Sequence, residues 1–156
     1  HKGASHSARV VQEILTTPLA ASSNTDLESS LKHLAGTHLR NAIVFIVSDW
    51  ILNVEKITHL LAHIAHKNEA VAVRVIDPRE RSLPDVGIIP ALDPESGEVV
   101  LLSTGGARGA ALNLLLGKRI HDQKQLLRKQ KLSILDIEVG GSLVDALATF
   151  FHTRAH

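Results

Sequence analysis

Two stretches of the sequence pair a hydroxyl with a carboxylate, Thr25-Asp26 and Ser48-Asp49. The second follows Ala42–Val47, an unbroken apolar run that is typical of a strand buried on both faces of a parallel sheet. Open α/β sheets place their ligands at the carboxyl ends of such strands. If both stretches reach that edge, the Thr25 hydroxyl and the Asp49 carboxylate converge, and such oxygen ligands suit Mg²⁺. Alternatively, Ser48 and Asp49 only cap the following helix, because both are good N-cap residues.

Three strand patterns and a hairpin supply the sheet that must position these residues. Ala42–Val47 is predicted as the central parallel strand, with Ala70–Ile76 and Ile134–Val139 as the other parallel strands. Gly87–Leu92 and Glu98–Leu102 flank a Pro- and Gly-containing connection and are predicted as an added β-hairpin.

Helical spacing recurs between the strands. Thr25, with Glu28 three residues later, fits a capping box at the start of one helix. The predicted helices are Ala8–Leu15, Asp26–Ala35, Val54–His66, Gly105–Lys131 and Ser142–His152. This alternation predicts a single domain over residues 1–156 with a three-layer, Rossmann-like α/β fold.

Composition argues against several classes of function. A net charge of +1 gives no electrostatic footprint for nucleic acid, and no apolar run approaches the roughly 18 residues of a membrane span. We therefore expect no nucleic-acid partner, no membrane contact from this segment and a cytoplasmic location. The absence of Cys excludes disulfides and thiolate metal sites. Because the chain does not begin with Met, we expect it to be part of a longer protein, and a membrane anchor upstream stays open.

Two further features resemble sites of other kinds. Thr104–Ala110 is a glycine-rich turn that opens a helix, and in a nucleotide-binding enzyme such a turn approaches a pyrophosphate. Here the preceding strand belongs to the hairpin and the chain has no Tyr for Tyr-x-x-x-Lys catalysis, so helix entry is favoured. Glu55, His59, His63 and His66 share one helix face, but it is opposite the apolar stripe, which favours a solvated face over a zinc site.

Six motifs occur in an order that resembles a known family. They are Thr25-Asp26-Leu27, Val47–Trp50, Val73–Glu80, Leu83–Gly87, Asp93–Glu98 and Phe150-Phe151 before Arg154. The stretch from Thr25 to Arg154 is similar to the von Willebrand factor A-like family of unknown function whose members accompany MoxR-type AAA+ ATPases in bacteria.

The resemblance implies a metal-ion-dependent adhesion site at the carboxyl edge of the sheet. It assigns Thr25 and Asp49 as Mg²⁺ ligands, with Asp26 and Ser48 as neighbours. Thr37 is the less suitable threonine, because it is too close to Asp49 to leave room for the intervening helix. The family's first metal-site motif, Asp-x-Ser-x-Ser, is missing from this sequence. We therefore expect a carboxyl-terminal part of the domain, lacking its N-terminal strands, that does not bind Mg²⁺ tightly alone.

The function implied by the resemblance is non-enzymatic protein binding. The implied partner is a MoxR-type ATPase or its client, in the assembly or maturation of a complex. The alternatives are a nucleotide-binding enzyme using Thr104–Ala110 and a scaffold with an inactive metal site. Because Ala42–Val47 would lack its neighbouring strand, we also expect a homo-oligomer joined near that unpaired edge.

Overall fold

The computed structural model describes residues 3–17, 26–51, 53–92 and 97–154. The helices are α1 (Ala4–Thr16), α2 (Leu27–Gly36), α3 (Thr58–Lys67), α4 (Pro78–Arg81), α5 (Gly106–Lys129) and α6 (Leu143–Arg154). The strands are β1 (Ile43–Ser48), β2 (Glu69–Ile76), β3 (Ile88–Leu92), β4 (Val99–Ser103) and β5 (Ser133–Glu138). A 3₁₀ turn, Val54–Ile57, precedes α3. Thr25 lies outside the described residues, as does most of the connection predicted within the hairpin.

Short polar side chains begin three of these helical segments. Asp26 Oδ1 accepts a hydrogen bond from the Ser29 N–H at 2.8 Å and is the N-cap of α2. Asn53 caps the 3₁₀ turn, and Asp77 caps α4, where Pro78 occupies the first turn. The predicted N-cap role of Thr25 is therefore wrong, since the residue after it caps the helix.

The three parallel strands have the order β1-β2-β5. β2 is thus the central strand of the described sheet. Ala42–Val47, predicted as the central strand, is an edge strand there, and the unpaired edge expected from its missing neighbour is present in the described sheet. Val44 and Ile46 of β1 are buried, whereas Ile43 and Phe45 are 53% and 45% exposed. The apolar run predicted burial on both faces, but the described helices cover only one face of β1.

Helices cover both faces of β2. On one face, Ala70 and Ala72 pack in a cluster with residues of α2, α3 and the carboxyl end of α5. On the other face, Val71 and Val73 pack with Leu135 and with Phe150 of α6. The arrangement is helix, sheet, helix, and the predicted three-layer, Rossmann-like α/β class is confirmed.

The predicted hairpin is confirmed as an antiparallel pair, β3 and β4, with Ile88 opposite Ser103. Thr104 joins this hairpin to α5. Its buried hydroxyl donates to Gly87 O at 3.0 Å and accepts from the Val86 N–H at 3.2 Å. These bonds fix the hairpin where the long helix begins, so that α5 can extend back across the carboxyl edge of the sheet.

Candidate functional site

The turn after β1 is built from the side chains of Ser48 and Asp49. Ser48 Oγ accepts from the Trp50 N–H at 3.0 Å and donates to Asp49 Oδ1 at 3.4 Å. Asp49 Oδ1 also accepts from the Ile51 N–H at 3.0 Å. The two residues therefore stabilise the strand-end turn, and the alternative that they cap the next helix is wrong, because Asn53 does so.

Trp50 anchors this turn in the core. Its side chain is fully buried, and its indole N–H donates to Val73 O of β2 at 3.1 Å. The backbone of Trp50 has φ 60°, a left-handed conformation that a bulky residue rarely adopts. The Gln123 side chain of α5 donates to Trp50 O. The turn that presents Asp49 is thus held from the sheet and from α5.

A cleft of about 390 Å³ opens beside this turn, at the carboxyl edge of the sheet. Its position agrees with the rule that open α/β sheets bind ligands beyond the carboxyl ends of their strands. Its charged lining residues are Asp49, Arg74, Asp77, Arg79 and Arg119. Its apolar lining residues are Trp50, Ile51, Ile76, Leu83, Leu102, Leu112, Leu116 and Ile120.

Arg74 is the most deeply buried charged residue of the cleft, at 2% exposure. The parallel register places it opposite Ser48 of β1 on one side and opposite Asp136 of β5 on the other. Its Nη1 atom lies 3.7 Å from Asp136 Oδ1, beyond hydrogen-bond range. Burial lowers the pKa of the Arg74 guanidinium, while the Asp136 carboxylate acts in the opposite direction.

Asp136 has two other cations near its second carboxylate oxygen. Lys124 Nζ of α5 lies 2.6 Å from Asp136 Oδ2, and Arg81 Nη2 lies 3.9 Å from the same atom. In the described part of the chain, Arg74 Nε, Arg74 Nη1 and Asp136 Oδ1 are buried without a hydrogen-bond partner. Buried polar groups are nearly always satisfied, so this guanidinium is an unusual feature of the fold.

One wall of the cleft is held in place by a two-point contact, a pair of hydrogen bonds between Asn113 and Leu83. The Asn113 side chain of α5 accepts from the Leu83 N–H at 2.8 Å and donates to Leu83 O at 3.1 Å. Asp77 Oδ1, at the end of β2, accepts from the Arg79 N–H at 2.9 Å and fixes the start of α4. The stretch that follows Asp77 therefore begins as a short helix, and Leu83 beyond it is held against α5.

The structure brings together only part of the metal site that the resemblance implies. Ser48 and Asp49 are adjacent, but no hydrogen bond or ion pair between described residues joins either of them to Asp26. Thr37 ends α2, and its hydroxyl donates to Leu34 O at 2.7 Å. Across the described ranges, no group of three or more His, Asp or Glu side chains could hold a metal ion. The described donor set therefore does not fit Mg²⁺ by itself.

The glycine-rich turn has a packing role. A Cβ built on Gly109 would lie 1.9 Å from Thr104 O, so only glycine lets α5 start this close to the end of β4. The residues of this turn do not line the cleft. His59, His63 and His66 are exposed, which confirms the predicted solvated face, and His63 Nε2 lies 2.9 Å from Lys67 Nζ.

Comparison with known proteins places the chain in a family. Residues 1–111 match the family described as Protein of unknown function DUF58, and the chain belongs to that family. Uncharacterised proteins of Mycobacterium bovis and Mycobacterium tuberculosis are 35% identical to it over 98 residues, covering 62% of this chain and 31% of theirs. An uncharacterised Mycobacterium avium protein is 32% identical over 91 residues, covering 56% of this chain and 52% of its own.

The chain therefore spans about a third of the length of the first two relatives and about half of the third. No solved structure matches it significantly. Among the helices that the structure describes, none combines the length and the apolar character needed to cross a membrane.

Sequence reasoning missed the arginines of the cleft. Arg74 is the only charged residue within the apolar run Ala70–Ile76, and that isolated charge was the available signal. Arg119 carried no such signal, because it is one of several basic residues in the polar half of α5. Only the packing of α5 across the sheet edge places it in the same cleft as Arg74.

Proposed function

We propose that this chain is part of a von Willebrand factor A-like, non-enzymatic protein-binding module. Its partner is a MoxR-type AAA+ ATPase or a client of that ATPase, in the assembly or maturation of a complex. The observation that carries the proposal is the position of the exposed Asp49. It lies in a hydrogen-bonded turn at the carboxyl edge of a parallel sheet, beside a cleft of about 390 Å³.

The motif order from Thr25 to Arg154 supports the same proposal, and membership of an uncharacterised family is compatible with it. The fold contributes a rigid edge. Ser48, Asp49 and Trp50 form a turn anchored in β2 and α5, so a partner group that contacts Asp49 meets a preorganised carboxylate.

The Mg²⁺ dependence of this binding is a proposal about the complete module. In it, Asp49 supplies one oxygen ligand and Thr25 a second, and an Asp-x-Ser-x-Ser loop from elsewhere in the protein completes the site. The described donors of this chain do not make such a site alone, so no binding step is derived through the ion.

The test measures binding of the full-length protein to the MoxR-type ATPase of its own organism by biolayer interferometry, with Mg²⁺ or with EDTA. Asp49→Ala is expected to abolish the Mg²⁺-dependent part of binding and to leave the far-UV circular dichroism spectrum unchanged. Asp145→Ala, an exposed carboxylate in the first turn of α6, is the matched control and should bind normally.

Two results would redirect the proposal. Equal binding of the wild type with Mg²⁺ and with EDTA would favour a scaffold with an inactive metal site. An unfolded Asp49→Ala variant would reduce Asp49 to a structural residue of the strand-end turn.

A further inference from the structure

The cleft combines a buried cation with apolar walls. Arg74 lines it from the central strand, and its Nε and Nη1 atoms have no hydrogen-bond partner among the described residues. The nearest anion to Nη1 is Asp136 Oδ1, which lies 3.7 Å away and is also without a hydrogen-bond partner there. A buried guanidinium left with free donors is costly to the fold, because donors without partners lose their hydration without compensation. A group that accepts these hydrogen bonds would remove that cost.

The neighbouring charges favour an anion. Arg74, Arg79 and Arg119 line the cleft, against two aspartates, Asp49 and Asp77. Each aspartate already uses Oδ1 to accept a backbone N–H, from Ile51 and Arg79 respectively. The Asp136 carboxylate is shared between Arg74 and Lys124, and Lys124 is the nearer cation, with Nζ 2.6 Å from Asp136 Oδ2. The residues that line the cleft therefore carry one more positive charge than negative charges.

The walls of the cleft indicate what kind of molecule would carry the negative charge. Most of the lining residues are apolar, from Trp50 at the strand-end turn to Leu112 and Leu116 on α5. A volume of about 390 Å³ is at the small end of known ligand pockets. The planar guanidinium matches a carboxylate with two parallel hydrogen bonds. A phosphate dianion would bring a second negative charge towards Asp49 and Asp77, so a single carboxylate is the better fit.

We propose that this cleft binds an apolar chain that ends in a carboxylate, with Arg74 and Arg119 holding the carboxylate and the apolar walls holding the chain. Such a group occurs at the carboxyl terminus of a protein and in a free aliphatic acid. The site adjoins the proposed Mg²⁺ site, since Asp49 also lines the cleft, but none of the contacts proposed here needs a metal ion.

The test is isothermal titration calorimetry on the full-length protein, with EDTA present throughout. The probes are two matched pairs: N-acetyl-alanyl-isoleucyl-leucine as the free acid or the amide, and octanoate or octanol. In at least one pair the acid is expected to bind at least about tenfold more tightly than its neutral partner, the size of effect typical of a charge-assisted hydrogen bond. Preference for the peptide acid identifies a protein terminus as the source, and preference for octanoate identifies a free acid.

Three variants assign the binding to the cleft. Arg74→Lys keeps the charge but loses the planar fork, and Arg119→Gln removes a charge from an exposed position. Each should weaken binding of the acid about tenfold. Arg128→Gln, on the same helix but outside the cleft, should leave it unchanged. If Arg74→Lys does not fold, Arg119→Gln with its control decides the question.

Three results would overturn the proposal: no acid binding at millimolar concentration, equal binding of acids and neutral partners, or equal loss in the Arg119→Gln and Arg128→Gln variants. Because EDTA is present, these results do not depend on whether Mg²⁺-dependent partner binding exists.

Discussion

Two glycines of α5 should respond to the same substitution with opposite signs. Alanine is favoured over glycine in a helix interior by about 1 kcal/mol. A Cβ at Gly117 would meet nothing within 4 Å, so Gly117→Ala should gain that propensity in full. A Cβ at Gly109 would lie 1.9 Å from Thr104 O and 2.3 Å from Thr104 C. Both atoms are backbone, so no side-chain rotation can relieve the clash.

The size of the effect at Gly109 follows from this geometry. Ordinary contact requires the start of α5 and the end of β4 to separate by roughly 1.5 Å. Overpacking of this kind costs about 1–3 kcal/mol. The movement also strains the bonds of Thr104, whose N–H donates to Gly87 O at 2.7 Å, and losing one costs about 1 kcal/mol. After the gain in helix propensity, Gly109→Ala should lower the free energy of unfolding by about 2 kcal/mol.

Urea denaturation of the purified protein, followed by far-UV circular dichroism, measures both variants against the wild type. A Gly109→Ala variant as stable as the wild type would contradict these predictions, and so would a Gly117→Ala variant that is destabilised as much as Gly109→Ala. In a parallel titration, the Gly106→Val substitution should leave the affinity of the protein for NAD(H), NADP(H) and ATP unchanged. Micromolar binding of any of these nucleotides that Gly106→Val abolishes would instead support the enzyme alternative.

Three more predictions concern the core, the sheet edge and the cleft wall. Trp50→Phe should lower the free energy of unfolding by about 2 kcal/mol, because it removes volume and the bond to Val73 O; unchanged urea denaturation would contradict this. If β1 joins a homo-oligomer, Ile43→Lys and Phe45→Lys should yield monomers by light scattering, whereas Leu114→Lys, an exposed control, should not. Asn113→Ala should increase amide exchange at Leu83, measured by mass spectrometry, and wild-type exchange there would refute the two-point contact.

Local patterns were sufficient for the element types. The alternation of apolar runs and helical spacing predicted three parallel strands, the hairpin and the helices between them, because each pattern depends on its own residues. The order of the strands in the sheet, by contrast, does not follow from any local pattern. Ala42–Val47 is as apolar as a central strand, yet Ile43, Phe45 and Val47 lie on a face that no described helix covers. The apolar character of a strand shows which of its side chains could be buried, whereas the helices and strands packed against it determine which of them are buried.

The same distinction explains what was predicted of the site. Ser48 and Asp49 were found from the sequence because strand-end polar residues are a local signal, and their roles in the turn are local as well. Arg74 and Arg119 are 45 positions apart and meet in one cleft only because α5 crosses the sheet edge. A charged residue inside an apolar strand is the local sequence feature that indicates such a site. Burying Arg74 with unsatisfied donors opposes stability, and this is the kind of cost that binding a carboxylate would offset.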